Sequence, residues 1–171
     1  MAEPRIDLTD VSSAGGALVV PGLEGLRGIV GRELGPTAWL TVDQTRIDGF
    51  ADDTMDHQWI HVDPIRAAEG PFGAPVAHGL LTLSLVPYFV NQLRRFDGAL
   101  MGVNYGLDRV RFPSPVLAGS RVRARMTVTG LDELSSSSAQ FVTRVVVEVE
   151  GGAKPACVAD LVSRYHFEES R

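Results

Sequence analysis

Cysteine is nearly missing from this chain. Cys157 is the single one in 171 residues, so no internal disulfide can form. That fits a reducing compartment. Cys157 lies in an alternating apolar run and reads as a small core residue rather than a nucleophile. A basic excess is missing too: 16 Lys and Arg stand against 21 Asp and Glu, a net charge of −5. That balance disfavours nucleic acid as the main partner. Arg109, Arg111, Arg121, Arg123 and Arg125 lie close together, and read as solvated strand faces. The start, Met1-Ala2-Glu3-Pro4-Arg5, has neither the basic patch nor the apolar core of a secretion signal, so the expected location is cytoplasmic. Residues 70–93 carry no formal charge, but Gly73, Pro75, His78, Thr82, Ser84 and Pro87 interrupt them. That is too polar and broken for the ~20 mostly apolar residues of a membrane span. The run reads as protein interior.

Chemical signatures are missing as well. No phosphate-cradling glycine loop of the P-loop or dinucleotide type is present. Ser84, in Leu83-Ser84-Leu85, has no nucleophile-elbow glycines, and its hydroxyl is expected to bond the preceding helical turn. There is no internal repeat. What remains is the composition of a globular protein: 44% hydrophobic and 22% charged.

The length fits one ordinary domain with a sizeable core. Residues 1–36 read as a poorly defined N-terminal extension, with one interrupted helical pattern over Gly22–Gly35. Residues 37–171 read as a single domain. Ala38–Val42 is a short strand. Asp43 is a good N-cap for a helix over Gln44–Ala51, and Asp63-Pro64 repeats the device for Ile65–Glu69. From Ala77 the next helix is apolar nearly all round, which predicts enclosure. Pro87 should kink it. Arg94 and Arg95 stand where cations suit a helix C-terminus. The rest alternates like sheet. Leu100–Phe112 is a long strand with a bulge near Gly106. Arg121–Thr129 points Val122, Ala124, Met126 and Val128 one way. Gly130–Ser138 reads as turn. Phe141, Thr143, Val145, Val147 and Val149 form another inward row, and Pro155–Phe167 is the last strand. This is an α+β pattern, most economically an antiparallel sheet curled around a central buried helix.

Two constellations could carry chemistry. Asp56 and His61 are five apart on a loop, a spacing that can turn both toward one water. A carboxylate and an imidazole there can remove a proton from the water and return one to a product. The bland alternative is a capped loop with a surface histidine. His78-Gly79 opens the apolar helix, whose first turn leaves unpaired N–H groups. Gly79 lets a ligand approach that backbone, and its N–H can stabilise an oxyanion. The alternative is that Gly79 merely lets the helix pack on the sheet. His57 and His61 are four apart and invite a zinc reading, with Asp56, Asp63 or His78 as further ligands. The metalloprotease pattern, however, needs Glu where Gln58 stands, and no metal is expected. Trp59 and Tyr105 read as core or pocket lining.

Asp56-His57-Gln58-Trp59-Ile60-His61-Val62-Asp63, then Ala67, then Phe72-Gly73-Ala74-Pro75-Val76-Ala77-His78-Gly79 resembles the MaoC-like dehydratases, or R-specific enoyl-CoA hydratases. Their motif reads Asp-x-Asn-Pro-x-His-x-Asp, a spacer, and a His-Gly opening the helix of a hot dog fold. Asn104-Tyr105-Gly106 and Arg111-Phe112-Pro113-Ser114-Pro115-Val116 look like the family's return strand. The resemblance covers about residues 37–167, and the Asp-His-Gln-Trp-Ile-His variant is similar to the branch that includes nodulation protein N-like members and actinobacterial hydratases. It implies addition of water to a trans-2-enoyl-CoA, giving the (R)-3-hydroxyacyl-CoA, and the reverse dehydration. Asp56 and His61 match the catalytic pair, and Gly79 matches the backbone donor of the oxyanion hole. Gln58, Trp59, His78, Ser84 and Tyr105 are further candidates for binding or orienting substrate. The resemblance implies an acyl-CoA substrate, no metal or redox cofactor, and a homodimer. Met55, Gln58 and Trp59 stand where the family usually has Gly, Asn and Pro. Gln58 keeps the amide on a longer arm, and Trp59 bears on acyl-chain length. A hot dog acyl-CoA thioesterase and a non-catalytic acyl-thioester binding subunit are the alternatives, since fold does not fix function.

Overall fold

The computed structural model describes residues 16–169. In chain order the elements are β1 (Leu18–Pro21), α1 (Gly22–Gly28), β2 (Glu33–Leu34), β3 (Leu40–Val42), α2 (Gln44–Thr54), α3 (Trp59–Val62), α4 (Pro64–Ala68), α5 (Gly79–Ser84), α6 (Val86–Leu93), β4 (Arg94–Asp97), β5 (Ala99–Arg111), β6 (Ser120–Ser135), β7 (Ser138–Val149) and β8 (Cys157–Phe167). Strands β2, β6, β7, β8 and β5 form an antiparallel sheet in that order, and β3 joins β6 beside β2. Helix α5 packs on β8, and α6 on β6 and β4. This is the expected α+β hot dog arrangement.

Alternation in the long strands builds the core. Val122, Ala124, Met126 and Val128 of β6 are buried, as are Phe141, Thr143, Val145 and Val147 of β7. They meet Leu81, Leu85, Val86, Phe89 and Val90 of the helices in one cluster. Each fully buried aliphatic side chain contributes roughly 1.5–3 kcal/mol. Both expected caps form: Asp43 Oδ1 accepts from the Arg46 N–H at 2.9 Å, and Asp63 Oδ1 from the Arg66 N–H at 3.0 Å. The helix breaks at Leu85, and Pro87 sits in the first turn of its second half, where its missing N–H costs no hydrogen bond.

Four expectations change. Gly130–Ser138 is not a turn region. β6 runs through Gly130 with a register shift there, and the reversal is confined to two residues beyond Ser135. Arg94 does follow the helix, as the C-cap of α6, but it is also a strand residue with a buried side chain. It begins β4, which pairs in parallel with β1, Leu18 opposite Arg94. The period of two sends Arg94 and Phe96 inward together. The Arg94 side chain is only 3% exposed, with its guanidinium 4.3 Å from the centre of the Phe96 ring. Third, Leu18, Val20, Leu26, Ile29 and Leu34 belong to the same core cluster as the later strands, whereas residues 1–15 of the expected extension lie outside the described residues. Finally, the helix pair is not enclosed on all sides, since Leu80 is 62% and Tyr88 51% exposed. No helix among the described residues is long and apolar enough to cross a membrane.

The arginines read as solvated strand faces are paired where they lie on β6. Arg121 bonds Glu150, Arg123 bonds Glu148, and Arg125 bonds both Glu148 and Glu33.

Candidate active site

Helix α2 ends because Met55 takes a left-handed conformation, φ 61°, ψ 20°. That reversal throws residues 56–58 across the tip of α5. His57 folds back, its Nε2 2.8 Å from Asp52 Oδ1. Asp56 is left with an exposed carboxylate, and its backbone carbonyl accepts the His78 Nε2–H at 2.9 Å. The short helix α3 then carries His61 inward to 7% exposure.

His61 is braced from several directions. Its Nδ1 lies 2.6 Å from the Val76 carbonyl. A carbonyl can only accept, so Nδ1 carries the proton and Nε2 is the free base. The Val76 N–H returns a bond to the Ile60 carbonyl at 3.0 Å. The Gln44 side chain donates to the His61 carbonyl at 2.7 Å. The rings of His61 and His78 stack with centroids 3.7 Å apart and planes at 26°. Burial pushes the His61 imidazole below its ordinary pKa of 6.5; the Val76 carbonyl and Asp56 oppose this, and His78 adds to it. His61 is thus a neutral base near neutral pH.

Donor atoms of Asp56, His61 and His78 all lie within 4.8 Å of one another. That interval accepts one bridging water between a carboxylate and an imidazole. It is also the spacing of a possible cation site. Two members of the zinc set suggested by spacing stand apart from it: His57 faces Asp52, and Asp63 is occupied in capping α4. In His78 the Nε2–H is committed to the Asp56 carbonyl.

A cavity of about 290 Å³ opens beside His61, walled by Ile60, Phe72, Val76, Gly79, Thr82, Phe112 and Val116 among others. Gly79 is the first residue of α5, so its N–H has no intrahelical acceptor, and no other backbone carbonyl among the described residues takes it. The glycine also has a packing reason. A Cβ here would fall 2.8 Å from the Phe112 ring.

The structure therefore brings Asp56, His61, His78 and Gly79 together. Gln58 is exposed, and its backbone carbonyl accepts the His61 N–H at 2.9 Å. Trp59 packs under the Arg66 guanidinium at 4.4 Å and against Gly70. Ser84 Oγ bonds the Leu81 carbonyl at 2.7 Å, as expected for a helix hydroxyl, and borders a second cavity of about 190 Å³. Tyr105 lies out on β5 under Arg164. The sequence reading missed the Val76 carbonyl, Thr82 and the cavity-wall role of Phe72 and Phe112. A backbone acceptor has no side-chain signature. Phe112, at the end of a strand that already alternates, looks like any strand residue.

A family model described as "MaoC like domain" matches residues 27–150. The chain is 49% identical over 140 residues to 3-hydroxyacyl-thioester dehydratase Z of Mycobacterium tuberculosis, covering 82% of this chain and 93% of that one. It is 45% identical over 165 residues to Nodulation protein N of Rhizobium meliloti, covering 95% and 93%. Among solved structures it resembles the (R)-hydratase from A. caviae involved in PHA biosynthesis. There the TM-score is 0.62 at 28% identity, over 78% of this chain and 94% of that one. The chain belongs to the MaoC-like domain family, the dehydratase and hydratase family to which its two motifs pointed.

Proposed function

We propose that this protein is an (R)-specific enoyl-CoA hydratase and 3-hydroxyacyl-thioester dehydratase. A water held between the Asp56 carboxylate and His61 Nε2 loses a proton as its oxygen bonds to C3 of the trans-2-enoyl thioester. The electron pair of the C2–C3 double bond shifts toward the thioester oxygen, where the Gly79 N–H accommodates the charge. A proton then returns to C2, so one water is added and nothing is oxidised or reduced. Dehydration runs the same steps backward. The reading requires no metal or redox cofactor. The observation that carries it is that the Asp56 carboxylate comes within 4.8 Å of an imidazole nitrogen of His61, and that His61 and Gly79 line one mainly apolar cavity.

The test is loss of the enoyl-thioester ultraviolet absorbance with purified protein, and chiral analysis of the product. Asp56→Asn and His61→Gln should each slow hydration by roughly 10²-fold or more with the fold intact. Release of free CoA thiol without hydration would instead make it a thioesterase, and binding without turnover a carrier subunit.

The same reading has the enzyme act as a cytoplasmic homodimer. Two features support the dimer. Strand β5 is the sheet's edge, with Leu100, Met101, Val103, Tyr105 and Leu107 exposed. Leu80 of α5 and Tyr88 of α6 are exposed as well. A long apolar strand edge pairs readily with another.

A further inference from the structure

Resting on the hydration reading, we infer that His78 is the positioning residue of this site, a buried ring that locks the acid loop, the base and the oxyanion donor into one unit. The three groups come from separate pieces of chain: the loop after α2, helix α3 and the tip of α5. Each is joined to His78. Its Nε2–H holds the Asp56 carbonyl at 2.9 Å. Its ring lies against the His61 ring at 3.7 Å. Its backbone is the N-cap of α5, with ψ 137° and its carbonyl accepting the Thr82 N–H at 3.2 Å, and so it orients the adjoining Gly79 N–H.

His78 offers the reacting water no free atom, since its Nε2–H is taken by the Asp56 carbonyl and its Nδ1 is buried. It is 3% exposed and absent from the wall of the cavity that His61 and Gly79 line. Its Nδ1 is buried with no hydrogen-bond partner among the described residues. With Nε2–H given to the Asp56 carbonyl, and the Asp56 carboxylate 4.0 Å away, the ring orientation is fixed and Nδ1 points into buried surroundings. A buried ring held at one nitrogen and packed against two other rings is suited to holding its neighbours. The ring of Phe50, 5.1 Å away, completes its packing. Asp56 gains most, because its own carboxylate is exposed and His78 is the ring that grips its backbone.

Two variants separate the two contacts. His78→Gln keeps an N–H donor and loses the ring. His78→Phe keeps a ring and loses the donor. Each should lower kcat for enoyl-thioester hydration by about 10- to 100-fold, the effect of misplacing catalytic groups by about an ångström. KM should stay within about threefold, since the cavity wall is untouched. Wild-type kcat in both variants would overturn the inference. Nitrogen-15 spectra of the wild-type histidines give a reading independent of turnover and of how the variants fold. His61 should appear as the Nδ1–H tautomer and His78 as the Nε2–H tautomer. An Nδ1–H tautomer of His78, with no proton on the nitrogen that faces the Asp56 carbonyl, would overturn the positioning role. An unreactive wild-type enzyme with the expected tautomers would instead overturn only the hydration reading.

Discussion

Replacing Met55 with Gly should make the protein more stable. Met55 is the one non-glycine residue with positive φ among the described residues, at φ 61°. A side chain in the left-handed region costs roughly 1–2 kcal/mol. Glycine removes that cost but returns about 0.4–1 kcal/mol of freedom to the unfolded chain. The Met55 side chain gives little back, because it is 81% exposed. The balance is a gain of roughly 0.5–1 kcal/mol, which for a chain of this size raises the melting temperature by about 1–4 °C. Met55→Val should do the reverse, since a β-branched residue is a genuine outlier in that region. Differential scanning calorimetry of the three proteins at one pH decides it. A lower melting temperature for Met55→Gly would refute the argument and mean that the methionine side chain makes a contact worth more than the backbone strain. Activity gives a second reading. Met55 immediately precedes Asp56, so a looser joint should leave KM alone and reduce kcat by about two- to fivefold.

Other perturbations test other parts of the molecule. Gly102→Ala should destabilise by about 1–3 kcal/mol, read by denaturant unfolding, because the new Cβ would sit 2.4 Å from the Tyr165 ring across the β5–β8 pair. The His61 pKa is lowered in the folded chain, so as pH falls the unfolded chain takes up that proton first. Its stability contribution is full above the ordinary value of 6.5 and is lost as pH drops from there through the folded value. A melting-temperature profile should show this decline, and His61→Gln should flatten it. Val103→Lys places a charge on the exposed β5 edge and should shift the sedimentation of a homodimer toward monomer. Cys157 is buried and its thiol is pushed up to about 11 by burial, so a thiol reagent should react with it only after unfolding.

The fold was largely legible because its signals are periodic. Val122, Ala124, Met126 and Val128 alternate without interruption, and the structure buries all four. The bulge near Gly106 was legible from a break in the same rhythm, and the register shift between Asn104 and Gly106 bears it out. Where the rhythm is carried by few residues it fails. Strand β1 has four residues and β4 four, too short for alternation to separate them from a loop or a helix end. Arg94 shows the effect: its place at the end of a helix was legible, while the pairing of β4 with β1 that turns its side chain inward over Phe96 was not. Gly130 to Ser138 is rich in serine and acids, a turn composition, yet strand pairing with β7 carries it as sheet.

The site was legible where its chemistry lies in side chains and opaque where it lies in the backbone. Asp56, His61 and Gly79 could be picked out because residue type and spacing state what each can do. Nothing in the sequence says that Val76 accepts the His61 Nδ1–H or that Asp56 is gripped by its carbonyl. Those two acceptors would serve equally well under any side chain, so their identity leaves no mark on the motif. They nonetheless determine which nitrogen of each histidine is free, and with it which ring can act as a base. His61 is left with its free nitrogen and a place in the cavity wall, while the free nitrogen of His78 is buried. Two histidines of the same composition, stacked face to face, are given different work by two peptide oxygens.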